Sequence, residues 1–338
     1  MDASIRNRRD VLRLGLATAL LTTGCRTAAP AGHSPSPTTR PQPVTLKIGL
    51  PGAGTDPYGV VYVAQKQGFL DKYNLKVEVT EYQGAGPEQE ALASGDADII
   101  NFNPTSIAQA VKKGVKEKIV AMWQDKPLGW YLMVSAKSSI KTAQDLNGKK
   151  VGISGKGTTT DEFSLWYAQQ NGIKIQGVPL GGAQAVYSGV VSGNVDAGVV
   201  TAPLSERGLA TGDLRSLANF GEVLPDISHD VLAASDSIIA SHPEAVSNYL
   251  KALFEALRYV KQNRSYAIDF LVNYTKVDSA TEERVYDTVY KAMPDNVQVN
   301  KAWIDADMAL AATIGITNVA PVDQIVTTQF VDQSSGGR

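Results

Sequence analysis

A short pattern that occurs twice, in residues 94–106 and again in residues 192–205, constrains the fold of this chain more than any other feature. Each copy holds Ser-Gly-x-x-Asp, then an apolar run, then Asn or Thr beside a proline. The glycine suits a left-handed helix end, the apolar run predicts a buried strand, and Asn103 before Pro104 is typical of a helix start. Two such corners predict two α/β lobes that face each other across a cleft, with Asn103 opposite Thr201.

Length and composition agree with a two-lobed globular protein. The chain has 338 residues, 43% hydrophobic residues and a formal net charge of −2, so it carries no electrostatic footprint for nucleic acid. Its three histidines (His33, His229 and His242) and its single cysteine, Cys25, argue against a Cys/His metal site and exclude an internal disulfide. We expect no metal and no cofactor.

The first 25 residues have the pattern of an export signal. Asn7–Arg13 resembles a twin-arginine signal, and the apolar run Leu14–Leu21 is shorter than the ~20 residues that span a bilayer. Gly24-Cys25 resembles a bacterial lipobox, although Thr22 stands where that pattern favours leucine. Residues 1–25 are therefore predicted to be a lipoprotein signal peptide with lipid attached to Cys25. The alternative is a plain signal peptide with an incidental cysteine.

The folded region is bounded by two segments that cannot build a core. Residues 26–43 contain five prolines among Ala, Ser and Thr, which predicts an extended tether, and residues 333–338 are predicted to be a disordered tail. Between them, short strands and helices alternate in a way that favours mostly parallel sheets covered by helices. The strands are predicted at 44–50, 75–82, 98–100, 118–123, 130–135, 149–154, 178–180, 196–200, 216–218 and 231–235.

Two further features divide the folded region into lobes. Residues 125–129 break the strand–helix alternation and are the first candidate crossover. From Pro243 onward the pattern is helical, with one apolar stripe formed by Leu250, Leu253, Phe254, Leu257 and Val260. We therefore assign residues 44–127 and 236–332 to lobe 1 and residues 128–235 to lobe 2.

Four loops that enter helices are candidates for ligand binding, because an open α/β sheet binds ligands at the carboxyl ends of its strands. They are 54–58, 103–106, 155–161 and 201–203, and each offers backbone N–H groups at a helix N-terminus. Aromatic side chains would add walls to the site, and Tyr131 is a further candidate for such a wall. The predicted ligand-binding residues are Tyr58, Asn103, Pro104, Thr105, Trp123, Gly157, Thr158, Thr159, Thr160, Thr201 and Pro203. The alternative is that the polar residues only cap helices and that the tryptophan is core.

No set of residues predicts catalysis. The loop Gly155–Thr158 lacks the spacing of a phosphate-binding P-loop, and no Gly-x-Ser-x-Gly elbow is present. His229 and His242 have no nearby cysteine and are interpreted as structural. Asp161 and Glu162 are interpreted as complements to a helix N-terminus rather than as an acid–base pair.

Several motifs in this order resemble the substrate-binding proteins of nitrate/sulfonate/taurine ABC importers, which are related to the thiamine-pyrimidine (NMT1-like) group. The matching pieces are Ala64-x-x-x-Gly68-Phe69-Leu70, Asn74-Leu75-x-Val77-Glu78-Val79, Ala91-Leu92-x-Ser94-Gly95-x-x-Asp98, Asp145–Gly152 and Ser192-Gly193-x-x-Asp196-Ala197. The resemblance covers residues 45–330. It implies a type II periplasmic-binding-protein fold, with two α/β lobes, two hinge crossovers and a ligand cleft that closes.

The resemblance also implies a function. The protein would be a monomeric lipoprotein in the periplasm or on the outer face of the cytoplasmic membrane. It would bind a small organic or inorganic anion (sulfonate-, taurine- or nitrate-like, or an aromatic acid) and deliver it to an ABC permease. Two alternatives stay open: an enzyme on the same fold, of thiamine-pyrimidine or menaquinone-pathway type, and a ligand-sensing module for a membrane sensor. The cysteine-rich motif of the thiamine-pyrimidine enzyme is absent here, and an export signal fits the menaquinone enzymes badly.

Overall fold

A computed structural model of the protein describes residues 42–52, 54, 57–82 and 84–331. The predicted signal peptide with Cys25, nearly all of the predicted tether and the tail predicted at 333–338 lie outside the described residues. Within the described part, no helix is both long and apolar enough to cross a membrane.

The described residues contain ten strands in two five-stranded sheets. The strands are β1 (Val44–Leu50), β2 (Leu75–Glu81), β3 (Ile99–Phe102), β4 (Glu117–Gln124), β5 (Trp130–Ser135), β6 (Lys150–Ile153), β7 (Gln176–Pro179), β8 (Ala197–Thr201), β9 (Leu214–Asn219) and β10 (Asp230–Ser235). The first sheet has the order β2-β1-β3-β10-β4, and the second has the order β7-β6-β8-β5-β9. The predicted α/β fold with two lobes is confirmed.

The helices lie around these sheets. They are α1 (Val60–Lys66), α2 (Phe69–Lys72), α3 (Ala85–Ser94), α4 (Pro104–Lys112), α5 (Thr159–Gln170), α6 (Ala183–Ser192), α7 (Leu204–Thr211), α8 (Phe220–Val223), α9 (Asp236–Ser241), α10 (Pro243–Gln262), α11 (Arg264–Thr275), α12 (Ser279–Thr288), α13 (Lys301–Thr313) and α14 (Val322–Ile325). Single 3-10 turns lie at Gln144–Leu146 and Tyr290–Ala292. The apolar stripe predicted on α10 is buried along its whole length in the core of the first sheet.

The strand directions agree with the predicted mostly parallel sheets, apart from one reversed strand in each sheet. In the first sheet β1 pairs parallel with β2 and β3, whereas β10 pairs antiparallel with both β3 and β4. In the second sheet β6 pairs parallel with β7 and β8, whereas β5 pairs antiparallel with both β8 and β9. In each sheet four of the five strands therefore run in the same direction, and the exception is the strand, β5 or β10, that the chain enters from the other sheet.

These two exchanged strands mark the crossovers between the lobes. The first crossover lies between β4 and β5, as predicted for residues 125–129. The second precedes β10, so residues 230–235 belong to the first sheet and not to lobe 2 as assigned from the sequence. At the first crossover Gly129 has φ +76°, and a Cβ there would lie 2.8 Å from the Cβ of Ala202. A larger residue would therefore push the crossover away from the second sheet.

Candidate ligand-binding cleft

The predicted ligand loops lie at equivalent edges of the two sheets. In the first sheet β3 ends just before Asn103 and β4 ends at Gln124, and the antiparallel β10 starts beside them at Asp230. In the second sheet β8 ends at Thr201, which is paired with Trp130 at the start of β5. These edges contain the carboxyl ends of the parallel strands, where open α/β sheets bind ligands. We refer to them as the carboxyl edges.

The repeated Ser-Gly-x-x-Asp pattern supports the fold at the opposite ends of these strands. Asp98 accepts a hydrogen bond from the backbone N–H of Lys47 at 2.8 Å, and Asp196 accepts one from the backbone N–H of Lys150 at 2.9 Å. Each aspartate also donates its own N–H to the carbonyl of the same lysine. The pattern therefore fastens the start of β3 to β1 and the start of β8 to β6, in the same way in both lobes.

The two corners differ where their strands end. Asn103 caps α4 by accepting a hydrogen bond from the Ser106 N–H at 2.7 Å, and its Nδ2 donates to Thr159 Oγ1 at 3.1 Å. Because Thr159 opens α5 on the second sheet, this hydrogen bond joins the two lobes. Asn103 thus contacts Thr159 directly, and the position of Asn103 opposite Thr201 stays a prediction.

Thr201 and Pro203 lie in a different setting, beside the first crossover. The Ala202–Pro203 peptide bond is cis, and the Ala202 N–H donates to the Gly129 carbonyl at 3.0 Å. The buried Ser205 hydroxyl donates to the same carbonyl at 2.8 Å. The second corner therefore holds the crossover, whereas the first contacts the other lobe.

The side chains of the loop at 155–161 mostly stabilise the loop itself. Thr158 Oγ1 donates to the Gly155 carbonyl at 2.8 Å, and Thr160 Oγ1 accepts from the Ser154 N–H at 2.8 Å. Gly157, at φ +72°, donates its N–H to Asp161 Oδ2 at 3.0 Å. Of the three threonines, Thr159 is the one that reaches the first lobe. Ligand contacts by the others stay a prediction.

Four polar side chains lie together at the carboxyl edge of the first sheet, and we call them the Asp230 cluster: Glu88, Asn101 and Asp230, which are buried, and Tyr58, which is partly buried. Glu88 Oε1 accepts from the Asn101 N–H at 3.0 Å, and the Tyr58 hydroxyl hydrogen-bonds to Asp230. Burial raises the pKa of Asp230 to about 7 and the pKa of Glu88 well above its usual range. Within the described part of the chain, Asp230 Oδ2 and Glu88 Oε2 have no hydrogen-bond partner.

A second buried group lies where α4, α5 and α13 meet. The backbone N–H and the hydroxyl of Thr105 donate to Asp307 Oδ2 at 3.3 and 2.9 Å, so this predicted ligand residue is engaged with α13. Burial raises the pKa of Asp307 to about 7. Burial and the charges of Asp307 and Asp161 also raise the pKa of Glu162. Glu162 lies in the first turn of α5, as interpreted from the sequence, and it is also buried.

His229 and Trp123 are both buried near the carboxyl edges. The His229 ring lies 5.3 Å from the Trp130 ring and 6.1 Å from the Phe163 ring, and burial lowers its pKa to about 3, so the imidazole is neutral. Trp123 packs edge-on against Phe254 at 5.7 Å in the core of the first sheet. Neither ring nitrogen of His229, nor the indole nitrogen of Trp123, has a hydrogen-bond partner among the described residues.

Sequence reasoning did not single out three of the buried carboxylic acids in these groups, Glu88, Asp230 and Asp307. Asp230 had a detectable signal, since it directly precedes the apolar run of β10 at a strand end. Glu88 and Asp307 lie within helices whose patterns do not distinguish them from exposed acidic residues. Across the part of the chain that the structure covers, no group of three or more His, Cys, Asp or Glu residues is placed to hold a metal ion.

Two surface cavities lie elsewhere. One, of about 500 Å³, is lined by residues of α5 and the end of α13, including Leu165 and Ile314. The other, of about 680 Å³, is lined by Lys47, Gly95 and Asp98 at the edge of the first sheet opposite the carboxyl edge. Neither includes a residue of the Asp230 cluster.

Comparison with known proteins identifies the family. Residues 58–267, more than half of the chain, match the family model described as NMT1/THI5 like. The chain therefore belongs to the NMT1/THI5-like family. It is also 25% identical over 292 residues to the riboflavin-binding protein RibY of Chloroflexus aurantiacus, a match that covers 78% of each chain.

Solved structures share the fold. The alkanesulfonate-binding protein SsuA from Xanthomonas axonopodis pv. citri, bound to MOPS, superposes with a TM-score of 0.72 at 23% identity, covering 84% of this chain and 98% of SsuA. The periplasmic nitrate-binding protein NrtA from Synechocystis PCC 6803 superposes with a TM-score of 0.71 at 15% identity, covering 86% of this chain and 88% of NrtA. The fold is thus that of periplasmic binding proteins, which confirms the fold expected from the sequence.

Proposed function

We propose that this protein is the extracytoplasmic binding component of an ABC importer, and that it encloses a small molecule between its two sheets. The observation that carries the proposal is the hydrogen bond from Asn103 to Thr159, which connects the carboxyl edges of the two lobes. Two lobes joined by two crossovers can open and close as a hinge, so a contact of this kind would form on closure and break on opening.

The names of the similar proteins support a role in binding small molecules and a broad range of ligands. SsuA is named for alkanesulfonates, NrtA for nitrate and RibY for riboflavin. A sulfonate-, taurine- or nitrate-like anion, or an aromatic acid, agrees with the first two names and with the resemblance in the sequence. We propose that the closed form delivers its ligand to a membrane permease without altering it chemically.

A ligand screen tests the proposal. Thermal unfolding of the purified full chain is followed with alkanesulfonates, nitrate, aromatic acids and riboflavin. A ligand present at roughly a hundred times its Kd should stabilise the folded state by about 2.7 kcal/mol. Mass spectrometry then recovers the ligand, which we expect to be unchanged. A chemically altered ligand would favour the enzyme alternative, and the absence of stabilisation by any compound would contradict the proposal.

A pair of matched variants tests the cleft. Thr159→Val removes the hydroxyl that accepts from Asn103 and should weaken ligand binding several-fold. Thr313→Val removes a hydroxyl that bonds only within its own helix end, to the Leu310 carbonyl, and should leave binding unchanged. If the two substitutions changed ligand affinity equally, the ligand would bind at a site other than the one beside Thr159.

We propose further that Cys25 carries lipid and holds the protein at the outer face of the cytoplasmic membrane. Expression of the full gene with Cys25→Ala should move the protein from the membrane fraction to the soluble fraction. The mass of the mature wild-type protein should include the lipid. A wild-type protein that is soluble and free of lipid would favour a plain signal peptide.

A further inference from the structure

A buried acidic side chain of the second lobe is paired with a helix of the first lobe. Glu206 lies in the first turn of α7, which packs on the second sheet, and it is 0% exposed. Its Oε2 accepts from Arg284 Nε at 3.1 Å, and its Oε1 accepts from the Thr288 hydroxyl at 3.4 Å. Both partners lie on α12, whose Val285 and Tyr286 are part of the core of the first sheet. The contact therefore joins the two lobes.

The second lobe also holds the carboxylate of Glu206. The Tyr131 hydroxyl, from β5, donates to Glu206 Oε1 at 3.1 Å. The charge of Glu206 is offset by the guanidinium of Arg284, its ion-pair partner among the described residues. A buried carboxylate that loses such a partner is strongly destabilised. Any movement that separated α7 from α12 would therefore be costly.

The contact lies beside the first crossover. Ser205, the residue before Glu206, donates its hydroxyl to the Gly129 carbonyl at 2.8 Å. A Cβ at Gly129 would lie 2.8 Å from the Cβ of Ala202 and 3.1 Å from Cγ2 of Val289, which directly follows α12. The crossover thus passes between the second corner and the end of α12. Because the lobes stay joined at a crossover, contacts beside it change least when the lobes turn.

We infer that Glu206 and Arg284 form the pivot of the lobe movement, a contact that persists in the open and closed forms and positions the second lobe against α12. The inference rests on the proposed function, in which the lobes open and close around a ligand. The hydrogen bond between Asn103 and Thr159 forms and breaks in the same movement, because its neutral groups can bond to water when the lobes separate. Glu206 and Arg284 are thus positioning residues, which act on the ligand through the geometry of closure.

Distances between the lobes test the pivot without a ligand. Spin labels are attached to Lys113→Cys, at the end of α4, and to Gln170→Cys, at the end of α5, in the full chain carrying Cys25→Ala. Both sites are exposed. Double electron–electron resonance measures the distribution of distances between the labels. Arg284→Met should broaden this distribution and shift it to longer distances, because the lobes lose the contact that fixes the axis of their movement.

Arg264→Met is the matched control. The Arg264 side chain is 46% exposed, against 47% for Arg284, and it forms ion pairs with Glu283 and Asp287 of α12. Arg264 lies on α11, which packs in the core of the first sheet, so these ion pairs stay within the first lobe. The control removes a guanidinium from the same helix without affecting the contact with the second lobe. The distance distribution should stay that of the wild-type protein.

A double variant separates positioning from stability. Arg284→Met alone leaves Glu206 buried and unpaired, so it should also lower the midpoint of chemical denaturation. Glu206→Gln combined with Arg284→Met leaves no unpaired charge there and should recover most of that loss. The distance distribution should nevertheless stay broad. Circular dichroism confirms that each variant is folded, and if Arg284→Met does not fold, the double variant decides the test.

The outcomes can contradict the pivot in three ways. An unchanged distribution in Arg284→Met would overturn the inference, and so would a distribution that narrows again in the double variant as the stability recovers. A narrow distribution at one longer distance would make the contact a latch of the closed form, which also overturns the pivot. None of these measurements uses a ligand, so a failed pivot leaves the binding function intact, and a failed ligand screen leaves the distances to be judged separately.

Discussion

The two strand–helix corners begin alike and end differently. In both, an aspartate four residues after the motif serine holds the backbone of the neighbouring strand, and a left-handed glycine ends the preceding helix. Beyond the strand, the first corner presents Asn103 to the other lobe, whereas the second directs Ser205 to the crossover. The shared half of the pattern is therefore structural, and the half that differs is where the lobes acquire separate roles.

The largest expected effect comes from the shared aspartates. Asp98→Ala and Asp196→Ala each remove a carboxylate that accepts a backbone N–H, so each should lower the free energy of unfolding by about 1.5–3 kcal/mol. Chemical denaturation measures both. Asp96→Ala is the control, because Asp96 is exposed and accepts only from the nearby Ser94 hydroxyl. If one corner lost far less stability than the other, the structural equivalence of the two would be broken.

The next largest loss of stability is expected from substitution of the shared glycines. Gly95 and Gly193 have φ +86° and +78°, and a Cβ at either would meet nothing within 4 Å. The cost of alanine is therefore backbone strain, about 1–2 kcal/mol in each corner. Thermal unfolding of Gly95→Ala and Gly193→Ala measures this cost, and a much smaller loss in one corner would break the equivalence of the two.

Asn103 sharpens the comparison, because it has two roles that substitution can separate. Asn103→Ala removes the cap of α4 and should cost about 1 kcal/mol of stability, whereas Asn103→Ser keeps a capping oxygen and should cost little. Both lose the contact with Thr159, so both should weaken ligand binding. A double-mutant cycle with Thr159→Val measures that coupling. Additive effects on binding would mean that the contact does not contribute to closure.

The smallest effect is expected at the second corner. Ser205→Ala removes one donor to the Gly129 carbonyl, but the Ala202 N–H still satisfies that oxygen. The loss in stability should be about 0.5–1 kcal/mol, and ligand affinity should not change. Weaker binding in this variant, measured by calorimetry, would show that the second corner also takes part in recognition.

Local chemistry made parts of this fold predictable. The strands Val44–Leu50 and Trp130–Ser135 have the predicted ends, because an alternating apolar pattern defines the first, a continuous apolar run defines the second, and turn residues flank both. The cap at Asn103 followed from residue types alone. The strand at residues 231–235 was also predicted, but its antiparallel direction was not, since pairing depends on where the chain crosses between lobes.

The site was less predictable for a related reason. Its contacts join residues that are far apart in sequence, such as Thr105 with Asp307 and Asn103 with Thr159. A carboxylate within a helix, such as Glu88, has the same local pattern whether it is buried or exposed. The loops could therefore be located from strand ends, whereas the acidic character of the cleft required the packing of distant elements.

The position of β10 between β3 and β4 has a consequence for how the molecule is made. During synthesis, β4 has no neighbouring strand in its sheet until residues 230–235 have left the ribosome. The second sheet, in contrast, is built from one uninterrupted stretch, residues 130–219. The lobe that is encoded first is thus the lobe that is completed last, and a chain stopped before residue 230 would carry one finished sheet and one with an open edge.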